Sequence, residues 1–123
     1  MSKLRILLVD DEVSGTEVLG LILTEGGFKV TMAADGREAM ARLDEAAPDL
    51  LVTDFMMPVM NGGELVKAIR ATVRYHQLPV LLMSGAPEAA LQRYGVGHQR
   101  FLRKPFALDE FLVAVHALLN RRT

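Results

Sequence analysis

Hydrophobic positions along the chain follow two alternating rhythms. Compact runs of β-branched or leucine-rich residues give way to longer stretches in which apolar residues recur every three or four places. The first rhythm marks strands and the second marks helices with one buried face. Leu4–Val9 is too uniformly apolar for a strand with one wet face and reads as a strand covered on both sides, ending at Asp10, Asp11 and Glu12. Ser14 with Glu17 three places on has the form of a capping box, and Val18, Leu19, Ile22 and Leu23 supply an apolar stripe that stops at Gly26 and Gly27. A second strand, Phe28–Ala33, leads to an N-cap pair at Asp35 and Glu38 and a helix carrying Ala39, Met40 and Leu43, whose exit is closed by Pro48.

The third run, Leu50–Thr53, is terminated by Asp54 before a loop with Pro58, Asn61, Gly62 and Gly63. Leu65, Val66, Ile69 and Val73 then mark a third helix, and Pro79 opens a fourth strand through Met83, ended by Ser84 and Gly85. Pro87 suits the first turn of a short fourth helix that runs into Gly95 and Gly97, the least defined boundary in the chain. Phe101–Arg103 is a short fifth strand ending in Lys104 and Pro105, and Leu108, Phe111, Leu112, Val115, Leu118 and Leu119 line a last helix. Five strands and five helices in strict alternation predict an α/β domain with a parallel sheet covered on both faces, because each right-handed crossover carries the chain back over the sheet. This is a flavodoxin-like doubly wound arrangement. Its usual strand order, 2-1-3-4-5, reverses its winding between the first and third strands and binds ligands outside their carboxyl ends.

Composition narrows the possibilities. A chain of 123 residues with 50% hydrophobic and 24% charged residues has the length and balance of one globular domain over 1–123. Cysteine is absent, which removes disulfide scaffolds, thiolate metal sites and cysteine nucleophiles and fits a reducing cytoplasm. A net charge of −1 gives no general field for nucleic acid or anionic lipid, so no nucleic-acid binding by this domain alone is expected. The longest apolar run, Phe111–Val115, is far short of the roughly 20 residues of a membrane span, and the run after Lys3 and Arg5 meets acids too early for a signal peptide.

The chemistry collects at the strand ends. Asp10 and Asp11 end the first strand, Asp54 the third, Ser84 the fourth and Lys104 the fifth. Three converging carboxylates repel one another and require a cation. Oxygen-only ligands without histidine or cysteine suit Mg2+ better than zinc, and such an ion keeps positions open for phosphate oxygens, which Lys104 can also meet. A carboxylate can itself attack phosphorus, and Asp54 is the candidate to become an aspartyl phosphate.

These residues resemble the receiver domain of bacterial two-component response regulators over essentially the whole chain. Asp10-Asp11-Glu12, Asp54-Phe55-Met56-Met57-Pro58 with Gly62 beyond it, Ser84-Gly85-Ala86 and Lys104-Pro105-Phe106 stand in that family's order and approximate spacing. The resemblance implies that Asp54 is the phosphoacceptor, Asp11 a direct magnesium ligand, Asp10 a ligand acting largely through water, and the Met56 carbonyl a further ligand. It implies that Lys104 contacts the phosphoryl group, that the Lys104-Pro105 bond is cis, that Ser84 is the hydroxyl drawn to the phosphoryl oxygen, and that Phe101 is the aromatic that responds. It also implies a histidine kinase or phosphotransfer protein as donor, a downstream protein target or fused output domain, and a possible homodimer. Two features depart from the family. Met56 and Ala86 stand where rapidly dephosphorylating members carry polar side chains, which implies a long-lived phosphorylated form, and Gly95-Val96-Gly97-His98 is richer in glycine than usual.

Plainer roles fit several other residues. Glu12 suits a first-turn acid favouring a helix dipole, Met57 and Pro58 suit loop packing and turn shape, and Phe101 could be ordinary strand packing. His76, His98 and His116 share no ligand spacing. Arg100, Arg103, Arg121 and Arg122 make a mildly basic end that reads as a solvated face. The expected function is a phosphorylation-dependent signalling switch, not an enzyme. Its rivals are a pseudo-receiver that binds partners with its acidic site unused, and a magnesium-dependent phosphatase that would need a further acid near Asp54.

Overall fold

The computed structural model describes residues 3–120. Arg121 and Arg122 lie outside the described residues. The elements are β1 (Arg5–Val9), α1 (Val13–Glu25), β2 (Lys29–Ala33), α2 (Gly36–Ala46), β3 (Leu50–Asp54), α3 (Gly62–Arg70), β4 (Val80–Ser84), α4 (Glu88–Leu91), a single 3-10 turn (Gln92–Tyr94), β5 (Arg100–Arg103) and α5 (Leu108–Asn120). The strands pair in parallel in the order β2-β1-β3-β4-β5, so the expected doubly wound topology forms.

The two-residue period of the strands splits the core between the two faces of the sheet. Ile6, Leu8, Val52, Leu81 and Met83 pack with Leu23 of α1 and with Phe111, Ala114, Val115 and Leu118 of α5. Leu7, Val9, Leu51 and Val80 pack with Ala39 and Leu43 of α2 and with Leu65, Val66 and Ile69 of α3. Most of these side chains are fully buried, and each large one contributes about 1.5–3 kcal/mol relative to exposure. This doubly covered frame fixes where the strands end.

Several local expectations are corrected. No Ser14–Glu17 capping box forms, because α1 starts earlier, at Val13 after an N-cap at Glu12. The Thr16 hydroxyl donates to the carbonyls of Glu12 at 2.9 Å and Asp10 at 3.3 Å, and Asp10 Oδ1 accepts the Glu12 amide, so the helix is entered straight from the strand end. Val18 is 58% exposed, because the buried side of α1 runs through Thr16, Gly20 and Leu23. A Cβ on Gly20 would stand 2.8 Å from Met32 Sδ on β2, so a larger residue there would have to displace that flexible side chain. Val73 is outside α3 and exposed, because the chain turns once the Thr72 amide and hydroxyl both donate to the Ile69 carbonyl. Leu108 is also exposed, in the first turn of α5, and the buried stripe begins at Phe111. Pro87 caps α4 from outside instead of sitting in its first turn.

Candidate functional site

Sheet register assembles the site. Val9 pairs with Thr53, which sets Asp10 beside Asp54, while Ser84 pairs with Arg103 and Lys104 donates its amide to the Ser84 carbonyl at 2.7 Å. Carboxylate oxygens of Asp10, Asp11 and Asp54 lie within 4.8 Å of one another, the only such cluster of potential metal-binding side chains among the described residues. Asp10 and Asp54 are buried and Asp11 is exposed. The Lys104-Pro105 peptide is cis, and Lys104 Nζ lies 3.1 Å from Asp10 Oδ2 and 3.3 Å from Asp54 Oδ1.

Two of the acids are held differently. Both oxygens of Asp10 are engaged, Oδ1 by the Glu12 amide and Oδ2 by Lys104. Burial pushes the Asp54 carboxyl up to about 6, Lys104 opposes that rise, and Asp10 and Asp11 reinforce it. Burial pulls the Lys104 ammonium down, but Asp54 and Asp10 outweigh it and leave the group raised. The cluster therefore carries excess negative charge that one lysine only partly meets. A hard divalent cation fits this all-oxygen donor set, with Asp10, Asp11 and Asp54 as the side chains that would hold it.

The remaining expected residues take distinct places. Ser84 is fully buried at the end of β4, and its Oγ accepts the Ala86 amide at 3.1 Å. Met56 follows in the loop after β3 with its side chain 64% exposed. Phe101 is half-buried against Phe55, Leu82 and Leu91, and its ring centroid lies 6.2 Å from that of His98. His76 and His116 are on the surface, whereas His98 is half-buried and bonded to Glu88.

Four residues have supporting roles that the sequence analysis did not assign. Thr16 ties the carbonyl of Asp10 to α1, and buried Thr53 donates its hydroxyl to the Asp54 carbonyl at 2.9 Å. A polar residue inside an otherwise apolar run was the available signal for Thr53. Asn61 and Glu64 form the reciprocal capping box that starts α3, a spacing visible in the sequence. That start places Gly62 against Asp54, where a Cβ would lie 2.6 Å from the Asp54 carbonyl oxygen.

Comparison with known proteins agrees with this geometry. Residues 6–116 match the model of the response regulator receiver domain. The response regulator MprA of Mycolicibacterium vanbaalenii is 38% identical over 121 residues, covering 97% of this chain and 52% of that protein. The transcriptional regulatory protein TrcR of Mycobacterium tuberculosis is 34% identical over 122 residues, covering 98% of this chain and 47% of that protein. The chain thus spans about half the length of these curated relatives. The chemotaxis protein CheY4 of Vibrio cholerae superposes with a TM-score of 0.90 at 34% identity, covering 96% of this chain and 100% of that one.

Proposed function

Since this chain belongs to the response regulator receiver domain family, a family of signalling modules switched by phosphorylation, we propose that its switch is the phosphorylation of Asp54. The observation that carries this assignment is the meeting of three carboxylates within 4.8 Å, with one lysine reaching two of them at the carboxyl ends of the strands. Residues 1–123 act in this reading as a single receiver domain.

Asp10, Asp11, Asp54 and the Met56 carbonyl would hold magnesium, which would supply positive charge to the oxygens of the incoming phosphoryl group. An oxygen of Asp54 attacks the phosphorus of a phosphohistidine on a histidine kinase or phosphotransfer protein. The phosphorus–nitrogen bond breaks, its electron pair leaves with the imidazole, and the new bond is an acyl phosphate on Asp54. Lys104 turns from the paired carboxylates to a phosphoryl oxygen. Ser84 releases the Ala86 amide and donates to another, and Phe101 follows it inward. An apolar groove of about 700 Å³ lined by Val18, Leu19, Pro105 and Phe106 adjoins Asp10 and Lys104 and offers the donor protein a surface beside the site.

The domain's output is a change of shape read by a downstream protein or a fused output domain, with homodimerisation as one form it can take. No released product is involved. A phosphatase passing through the same intermediate needs an acid for its leaving group, and Phe55 and Met56 after Asp54 supply none. The cytoplasm is the proposed compartment, and no helix among the described residues is long and apolar enough to cross a membrane. Incubation with acetyl phosphate and magnesium tests the assignment. One phosphoryl mass is expected, lost with a chelator and in Asp54→Asn. Undiminished labelling of that variant would overturn the assignment, and no labelling of the native chain would favour a pseudo-receiver.

A further inference from the structure

The glycine-rich segment before β5 is held from two sides. Arg70, at the end of α3, donates to the carbonyl of Gly97 at 2.8 Å and to Gln99 Oε1 at 3.2 Å, so its guanidinium brackets His98. Gln99 is also fastened to β4, its amide donating to the Val80 carbonyl at 3.0 Å and its Oε1 accepting the Val80 amide at 2.7 Å. The backbone on either side of His98 is thereby fixed to the sheet and to α3.

The other partner of His98 is poorly anchored. His98 Nε2 lies 2.7 Å from Glu88 Oε2, and Glu88 is the first residue of α4. This helix spans only Glu88–Leu91, has no side-chain cap, and from Pro87 to Tyr94 buries Leu91 alone. A seven-residue unit of helix and 3-10 turn with one buried side chain has little local stability. Its other fastening is the Tyr94 ring, 4.9 Å from that of Phe55.

The position of Glu88 gives the bridge its leverage. Four residues earlier Ser84 Oγ accepts the Ala86 amide, the bond that must break if Ser84 is to reach a phosphoryl oxygen. Any shift of Gly85–Pro87 toward Asp54 moves the start of α4, while His98 stays with the sheet. We propose that the Glu88–His98 bridge is a latch that holds α4 in its unphosphorylated position, so that part of the free energy of phosphorylation is spent opening it. The proposal rests on the assignment of Asp54 as phosphoacceptor and Ser84 as its responding hydroxyl.

The latch makes a prediction opposite to that of a bond needed for the switched form: its loss should favour switching. The test is titration of beryllofluoride, a phosphoryl mimic, with magnesium into the native chain, Glu88→Ala, His98→Ala and the double variant, none of which can re-form the bond, followed by amide spectra. A partly exposed side-chain hydrogen bond is worth a small factor, so each single variant should bind the mimic about two- to fivefold more tightly, and the double variant no more than either single one. Amide shifts of Glu88–Tyr94 in the free variants should move toward their mimic-bound positions. Unchanged or weaker mimic binding in both single variants, with the native chain responding normally, overturns the latch alone. A native chain that binds no mimic overturns the Asp54 assignment and the latch with it.

Discussion

The ammonium of Lys104 lies 3.1 Å from Asp10 and 3.3 Å from Asp54, so a single side chain from the end of β5 spans acids delivered by β1 and β3. The lysine is thus the resident countercharge of a cluster whose third member, Asp11, it does not bridge. Four adjacent strands, β1, β3, β4 and β5, must be in register before this contact exists, which makes it a sensitive reporter of both fold and charge.

Stability should depend on pH through Asp54. Its carboxyl is raised from 3.8 to about 6, so between these values the folded chain holds a proton that the unfolded chain releases. This group therefore favours folding at low pH, and that contribution is lost as pH rises through about 6. Melting of the metal-free chain should show this loss, Asp54→Asn should remove it, and magnesium should stabilise more at pH 7 than at pH 5. The same pH slope in Asp54→Asn would assign the titration to another group.

Within the acidic pair, Asp11→Asn should weaken magnesium more than Asp10→Asn. Both oxygens of Asp10 already have partners in the Glu12 amide and Lys104, whereas Asp11 is exposed. Calorimetric titration of magnesium into each variant gives the ranking, and a reversed order would exchange the two roles.

Gly62→Ala should damage both fold and site. The added methyl would stand 2.6 Å from the Asp54 carbonyl oxygen and 2.8 Å from Phe55 Cα, both backbone atoms that yield only if the end of β3 moves. A loss of about 1–3 kcal/mol in denaturant unfolding is expected, with slower phosphorylation by acetyl phosphate. Unaltered values for both would mean that the loop after β3 is free to give way.

The phosphorylated form should be long-lived. Hydrolysis needs a water aligned with the bond to Asp54, and neither Met56 nor Ala86 carries an oxygen or nitrogen to hold one. Met56 is 64% exposed, so its polar replacement meets solvent, and Ala86 is only half-buried, beside the cluster of Phe55, Leu82 and Leu91. Met56→Asn with Ala86→Glu should speed phosphate loss by about tenfold to a hundredfold, the pair exceeding either change alone. A dephosphorylation time course on donor-free protein decides it, and fast decay in the native chain that neither change alters would point to another means of positioning the water.

What could be read from the chain beforehand follows from how local each determinant is. Strand runs ending in Asp10, Asp54, Ser84 and Lys104 are contiguous signals, so the sheet order and the meeting of these residues were legible. Helix faces were less so. Val18 and Val73 have the right spacing but depend on where the helix begins and stops, and that is set by hydroxyls of Thr16 and Thr72 that bond backbone carbonyls. The support from Gly62 and Thr53 depends on close approach to Asp54, a tertiary relation with no periodic trace. The glycine-rich segment before β5 was the least defined boundary for the same reason, since its order comes from Arg70, a residue 27 positions from Gly97.

The four acceptors of Arg70 are the carbonyls of His76, Leu78 and Gly97 and the side-chain amide of Gln99. None of these gains or loses a proton in the range where Asp54 titrates, and the guanidinium keeps its own. The Arg70 contacts that hold together the wall formed by α3, β4 and the segment before β5 therefore keep their charge state while the floor of the cleft changes its own. A proton, a metal ion or a phosphoryl group arriving at Asp54 alters the field within the site without loosening this wall. Displacement is thereby directed into α4, the element with the fewest fastenings.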